Sequence, residues 1–253
     1  MNRPKQHIRD DASRRFLLWN GLGGYCALNE DFSASRADDG VLVAAVKAPN
    51  ERITLVHLLT EQLRLEDRQV VLQMEACALE GVPCWKYGAE GLSVERSCAM
   101  AYGENTTAVV YRIQNGQSAP CTFTVTPYLK FAPKETALTE RKAFTLEGNR
   151  ITAEGYTLYM HTKGMIAPYA DWQCLSYPDD AADGRPGEGL TGSCCAISVT
   201  VPAGEEGKLE IVFSTEETVS SAEEILNGER KRLGNLKNAC PFTDPVAKRL
   251  AVS

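Results

Sequence analysis

The stretch Arg15 to Val46, RFLLWNGLGGYCALNEDFSASRADDGVLVAAV, decides how this chain is read. Phe16 to Trp19 is a short apolar run. Asn20-Gly21-Leu22-Gly23-Gly24 follows with three glycines in four positions, where positive φ and close backbone approach cost little. A sharp turn is expected there. Tyr25 to Leu28 is apolar again, a polar loop runs from Asn29 to Asp39, and Gly40 opens a six-residue apolar run, Val41 to Val46, that stops before Pro49-Asn50. The pattern is strand, loop, buried strand. A dinucleotide fingerprint would need the glycines to open a helix, with an acidic residue about 20 positions on. The loop after Leu28 has no 3.6-residue apolar period, so the glycines read as a structural turn.

Composition bounds what such a chain can do. Its 253 residues are 43% hydrophobic and 24% charged, ordinary for a globular protein with one large β domain or two small domains. A formal charge of −6 argues against a phosphate-backbone partner, which needs a basic patch, so no nucleic acid is expected and a neutral polysaccharide fits better. The N-terminus MNRPKQHIRDDASRR is too polar for a signal peptide, and no apolar run approaches the ~18 residues of a spanning helix, so no membrane is expected and a cytoplasmic protein is. Nine cysteines (26, 77, 84, 98, 121, 174, 194, 195 and 240) form no C-x-x-C pair and have no histidine at ligand spacing, so they read as free thiols; no metal and no cofactor is implied.

The middle of the chain reads as successive strands. Ile53 to Leu63 is almost continuously apolar, as a strand covered on both faces would be, with His57 as a core residue inside it; Glu66-Asp67 turns into Gln69 to Met74. Strands are expected at 84–87, 92–100, 106–114 and 121–131, the last with Thr122, Thr124 and Thr126 on one face and Phe123 and Val125 on the other. Asn115-Gly116 predicts a tight hairpin between the last two, within one antiparallel meander. Short strands follow, joined at Gly148-Asn149 and Gly155. Residues 167–191, rich in Gly, Asp and Pro but carrying Tyr169, Trp172 and Tyr177, read as a long ordered loop. Cys194 to Ser214 predicts a final hairpin around Gly204.

After Ser214 the character changes. Thr218 to Ser221 offer N-caps, Ala222-Glu223-Glu224 places acid in a first turn, and Ile225, Leu226, Leu233 and Leu236 make an amphipathic helix of about 15 residues. Asn238 to Phe242 reads as a linker. Thr243 or Asp244 then caps a second helix with Pro245 in its first turn. That helix has no stop signal before Ser253, so it is expected to continue into a further domain.

The spacing Trp19-Asn20-Gly21-x-Gly23-Gly24-Tyr25, then Arg36, then Gly40-Val41-Leu42-Val43-Ala44, resembles the N-terminal domain of prokaryotic glycogen debranching enzymes of the amylo-α-1,6-glucosidase type. Residues 83–127, with Trp85-Lys86-Tyr87, Gly103-Glu104-Asn105-Thr106-Thr107, Tyr111 and Thr126-Pro127-Tyr128, are similar to that family's central strands, and the glycine-containing loop from Tyr177 to Gly192 to the one before its last strands. The resemblance implies a mainly β protein: a large antiparallel β-sandwich, the galactose-mutarotase-like supersandwich, over 15–217. It follows a polar tail at 1–14 and precedes a C-terminal helical linker at 218–253 that leads into an (α/α)6-barrel. In the family the barrel carries the glycosidase carboxylates, so no catalytic residue is assigned to this chain, and the implied partners are that barrel and an α-glucan such as glycogen.

Two departures locate the candidate site. The family carries an Arg-Arg-Tyr-His-Gly-like sequence where this chain has Arg36-Ala37-Asp38-Asp39-Gly40, and an Arg-Asp-x-His-like one where it has Phe131-Ala132-Pro133-Lys134. These loops are expected to adjoin in one polar cluster facing the barrel or the glucan. Asn20, Tyr25, Arg36, Asp38, Asp39, Trp172 and Tyr177 are the substrate or domain-interface candidates, the aromatics because flat apolar sugar faces pack on rings. Two other functions stay open. A self-sufficient carbohydrate-binding module would bind glucan through Trp172. A mutarotase-like enzyme would need His57 or His161 exposed in a cleft beside an acid.

Overall fold

The computed structural model describes residues 15–47, 50–79, 81–244 and 246. The polar tail with His7 and, apart from Val246, the second helix expected after Asp244 fall outside these. Strands β1 (Arg15–Trp19), β2 (Tyr25–Asn29), β3 (Gly40–Lys47), β4 (Glu51–Leu65) and β5 (Arg68–Val70) lead into β6 (Gln73–Ala78), β7 (Cys84–Ala89), β8 (Leu92–Met100), β9 (Thr106–Asn115) and β10 (Cys121–Pro133). Then come β11 (Thr145–Glu147), β12 (Arg150–Ala153), β13 (Tyr156–Thr162), β14 (Met165–Ser176), the short helix α1 (Pro178–Ala182), β15 (Glu188–Val201), β16 (Glu206–Ser214) and the long helix α2 (Ala222–Ala239).

They form two antiparallel eight-stranded sheets. One runs β1-β2-β3-β4-β10-β15-β14 with β5 hairpinned onto β4; the other runs β11-β12-β13-β16-β9-β8-β7-β6. The alternation read in β10 turns Phe123 and Val125 fully into the space between the sheets, where they meet Trp85, Val94, Tyr111 and Ile113 in one core. Each fully buried large side chain there contributes about 1.5–3 kcal/mol of transfer free energy. Glu61 also points inward. It accepts hydrogen bonds from Arg96 at 2.6 Å and from the Tyr111 hydroxyl at 2.8 Å, with the Arg96 guanidinium stacked 3.7 Å over Phe32 and 4.5 Å over Trp85. This buried ion pair is held by hydrogen bonds across the two sheets, though the Arg96 Nε has none, and removing either partner would leave an uncompensated buried charge.

Four expectations need correction. Asn115-Gly116 is no hairpin: β9 and β10 belong to different sheets, and Asn115, buried, pins the crossing by donating to the carbonyls of Ala119 (2.9 Å), Val201 (3.1 Å) and Pro202 (3.0 Å). Gly204 likewise joins β15 to β16 across the sandwich, and the run Gln69 to Met74 splits into β5 and β6 of opposite sheets. Local turn chemistry reports that the chain reverses, and says nothing about which sheet receives it. The predicted loop 167–191 is largely a hairpin, β14 pairing with β15, with α1 at its tip. β14 is a sheet edge whose residues are mostly half-buried or exposed on both faces, so no period of two was written into it.

The helix after Ser221 forms as read, with the complete capping box: the Ser221 hydroxyl accepts from the Glu224 amide while the Glu224 carboxylate accepts from the Ser221 amide. It extends to Ala239, into the expected linker. Only its first half is buried, Ala222, Ile225 and Leu226 sitting on Ala99, Ala108, Val110 and Val212 on the outer face of the second sheet.

Candidate functional site

The polar loop between β2 and β3 is built around one carboxylate. Asp39, 1% exposed, accepts the amides of Ser35 (2.8 Å) and Arg36 (2.9 Å) and pairs with Arg15. Burial pushes its carboxyl up, and Arg15 with the two amides pulls it back only in part. Asp38 points the other way and accepts the Glu135 amide at 2.5 Å just past the end of β10, with the Lys134 ammonium 3.8 Å from its second oxygen. The two loops that depart from the family pattern therefore adjoin, as expected. Phe131 (φ 47°) and Glu135 (φ 70°) sit in the left-handed region there, a local strain held by the contacts around it.

The third wall is α1. Asp180, also 1% exposed, accepts the Ala37 amide at 2.7 Å, reaches Arg36 at 3.2 Å and pairs with Arg185. Asp183 takes Arg36 at 2.5 Å, Asp179 takes the Ser35 hydroxyl at 2.6 Å and Arg15 at 3.3 Å, and Arg185 returns to Asp38 at 3.4 Å. Hydrogen bonding and charge from Arg36 hold the Asp183 carboxyl below its usual range. Tyr25 donates its hydroxyl to the Asp38 carbonyl at 2.8 Å, bracing the loop from β2.

Beneath this plate lies a sealed layer. Lys130 is fully buried and donates to the Ala37 carbonyl at 2.6 Å; burial lowers its pKa to about 8 against the opposing pull of Asp38, Asp180 and Asp39. His57 is also fully buried, its ring 5.7 Å from that of Tyr177. Neither His57 nitrogen nor the Tyr177 hydroxyl is in hydrogen-bonding geometry with a described neighbour, though the Arg36 backbone lies near enough to favour protonation of the ring. Burial and the Lys130 ammonium outweigh that and lower the His57 pKa to about 3.

Tyr25, Arg36, Asp38, Asp39 and Tyr177 are thus brought together; Asn20 and Trp172 are not. Tyr177 is corrected from a sugar-stacking candidate to a packing residue, because its ring is 0% exposed under α1. Asn20 is corrected likewise. It is fully buried, its side-chain oxygen accepting the amides of Leu22 and Gly24 (both 2.9 Å) and its nitrogen donating to the Glu104 carbonyl (2.9 Å) and to Asn105 (3.0 Å). Trp172 is half-buried on β14, stacked on Phe144 at 5.7 Å with 14° between the planes. Residues 15, 130, 180 and 185 were missed by the sequence reading. The one signal was Lys130, a lone charge inside the apolar end of β10.

Chemically, the cluster is a nearly balanced ion-pair plate. Its carboxylates are engaged by guanidinium, ammonium, hydroxyl or amide donors, which suits a rigid surface and leaves no carboxylate pair poised for acid–base work. His57 is sealed from solvent, and His161, half-buried, lies 3.4 Å from the Glu216 carbonyl. Among the described residues no group of His, Cys, Asp and Glu is arranged to hold a metal ion, and no helix is long and apolar enough to cross a membrane.

A family model described as glycogen debranching enzyme N terminal matches residues 14–207. No curated protein matches the chain. Among solved structures, a protein described as a kojibiose phosphorylase from the human microbiome is similar over 94% of this chain and 34% of its own, at 9% identity and TM-score 0.39. A bacterial glucoamylase complexed with acarbose is similar over 95% and 36%, at 9% identity and TM-score 0.39. An Escherichia coli K12 protein described as an aldose 1-epimerase is similar over 79% and 98%, at 10% identity and TM-score 0.42. The chain therefore spans about a third of the first two.

Proposed function

The chain belongs to the glycogen debranching enzyme N-terminal family, and from that premise we propose that it is the accessory β-sandwich of a debranching glycosidase, supporting an α-1,6-glucosidase barrel. The observation that carries this reading is the extent of the match: residues 14–207 run from β1 through most of the sandwich. On this reading 15–217 is the sandwich, 218–253 is the helical connection to the barrel, and the protein acts on α-glucan in the cytoplasm.

The ion-pair plate of Arg36, Asp38, Asp39 and α1 is the face we assign to the barrel. Its charges are neutralised in place, so a neighbouring domain covers it without stranding an unpaired charge. Glucose release from a glycogen limit dextrin tests the reading. The 253-residue chain alone is expected to release none, and the product of the whole gene, carrying a helical domain after Ser253, is expected to release it. A coding sequence with no such domain, or hydrolysis by the chain alone, overturns it.

A further inference from the structure

The glycine turn, absorbed above as a purely structural feature, carries a second feature on its solvent side. Trp19 is 46% exposed and Tyr102, in the turn between β8 and β9, is 56% exposed, with their ring centroids 6.0 Å apart at 75°. Gly21 (φ 79°) makes this approach possible, since a Cβ there would lie 2.8 Å from the Tyr102 ring. The Asn20 side chain and the Gly103 amide, which donates to the Asn20 carbonyl at 2.7 Å, lock the two turns together. Arg232 of α2 completes the group. Its guanidinium lies 4.8 Å from the centre of Tyr102 and 5.7 Å from that of Trp19, and both its hydrogen bonds to Glu229 are 2.7 Å long.

Beside Tyr102 and Arg232 opens a cavity of about 230 Å³ between the β8–β9 turn and α2. Gly228, one turn before Arg232, contributes no side chain and leaves the cavity open, while Glu104, Ser220 and Glu224 border it. That volume is below the usual range for a drug-sized ligand and suits a single small ring. The lining also selects charge. The carboxylates of Glu104, Glu224 and Glu229 outnumber Arg232, which is itself paired with Glu229, so the lining repels an anion, and its carboxylate and hydroxyl oxygens are acceptors for the hydroxyls of a sugar. Trp19, 46% exposed beside such a cavity, offers a flat apolar ring that the CH face of a sugar covers.

We propose that this end of the sandwich is a carbohydrate-binding site, an α-glucan lying across Trp19 with one glucosyl unit in the cavity between Tyr102, Arg232 and α2. The site stands on this geometry. The identity of the sugar as α-glucan rests on the family reading above. The site is separate from the Arg36–Asp39 plate and uses none of its residues.

Calorimetric titration of the 253-residue chain with maltoheptaose, and with cellohexaose as the β-linked comparison, tests both parts. Maltoheptaose is expected to bind, about tenfold or more weaker in Trp19→Ala and in Tyr102→Ala, and unchanged in Trp172→Ala. Thermal melts of the variants within about 2 °C of the parent keep a folding defect from imitating the result. Maltoheptaose binding that survives both substitutions, or no saccharide binding by the parent, overturns the site and leaves the family reading standing. Trp19-dependent binding of cellohexaose in place of maltoheptaose overturns the α-glucan assignment and counts against the reading it rests on. Trp19-dependent self-association in sedimentation, without saccharide binding, overturns the site in favour of a contact between copies.

Discussion

Asn20 shows how one side chain can look like a ligand contact and be a clip. A polar residue between an aromatic and a glycine is ambiguous as written, yet its amide satisfies two donors of its own turn and two acceptors of the β8–β9 turn, all inside the protein. Asn20→Ala is expected to cost about 2–3 kcal/mol in urea unfolding, because the buried groups it leaves behind lose their partners. His57 is the converse, a group whose burial was legible and whose consequence is a pH dependence. Its folded pKa, lowered to about 3, lies below the ordinary value of 6.5, so between those values the unfolded chain binds a proton that the folded one refuses. Its contribution to stability is therefore lost as pH falls from about 6.5 toward 3, by at most about 1.4 kcal/mol per pH unit. His57→Leu is expected to flatten that part of the profile in urea melts between pH 7 and 4. A variant profile parallel to the parent's would show that the ring is not sealed.

Among the elements, α2 was the most legible, since its cap, acidic first turn and apolar positions are all local in sequence. The sequence could not show that only its first half is held. Leu226 is fully buried against the second sheet while Leu236 is 40% exposed. Leu226→Ala is expected to destabilise by about 2–4 kcal/mol, and Leu236→Ala by less than about 0.5 kcal/mol, in chemical denaturation. β4 was equally readable, because an apolar run from Ile53 to Leu59 needs cover on both faces, and the plate above His57 supplies the second cover. β14 was unreadable for the opposite reason. An edge strand with exposed residues on each face has no pattern to distinguish it from a loop, and Tyr177 at its end was misplaced with it.

At the scale of the molecule, a sandwich with a core this continuous does not need covalent staples, and none of its cysteines is joined in a disulfide. Dithiothreitol is expected to leave the melting temperature unchanged within about 1 °C, and alkylation of the native protein to modify Cys174, on the exposed edge of β14, before the buried Cys26, Cys98, Cys121 and Cys195. A reductant-dependent loss of stability would overturn this. The strand content, the reversals, the capped helix and the family likeness were all present in Arg15 to Val46 and its continuation, because strand period, turn chemistry and capping act over a few residues. The assignment of β9 and β10 to opposite sheets, the meeting of Arg36–Asp39 with Lys134 and α1, and the exposure of Trp19 beside Tyr102 and Arg232 join residues scores of positions apart. Those contacts are decided by how the two sheets pack, a long-range balance of burial and charge pairing that no short stretch of chain encodes.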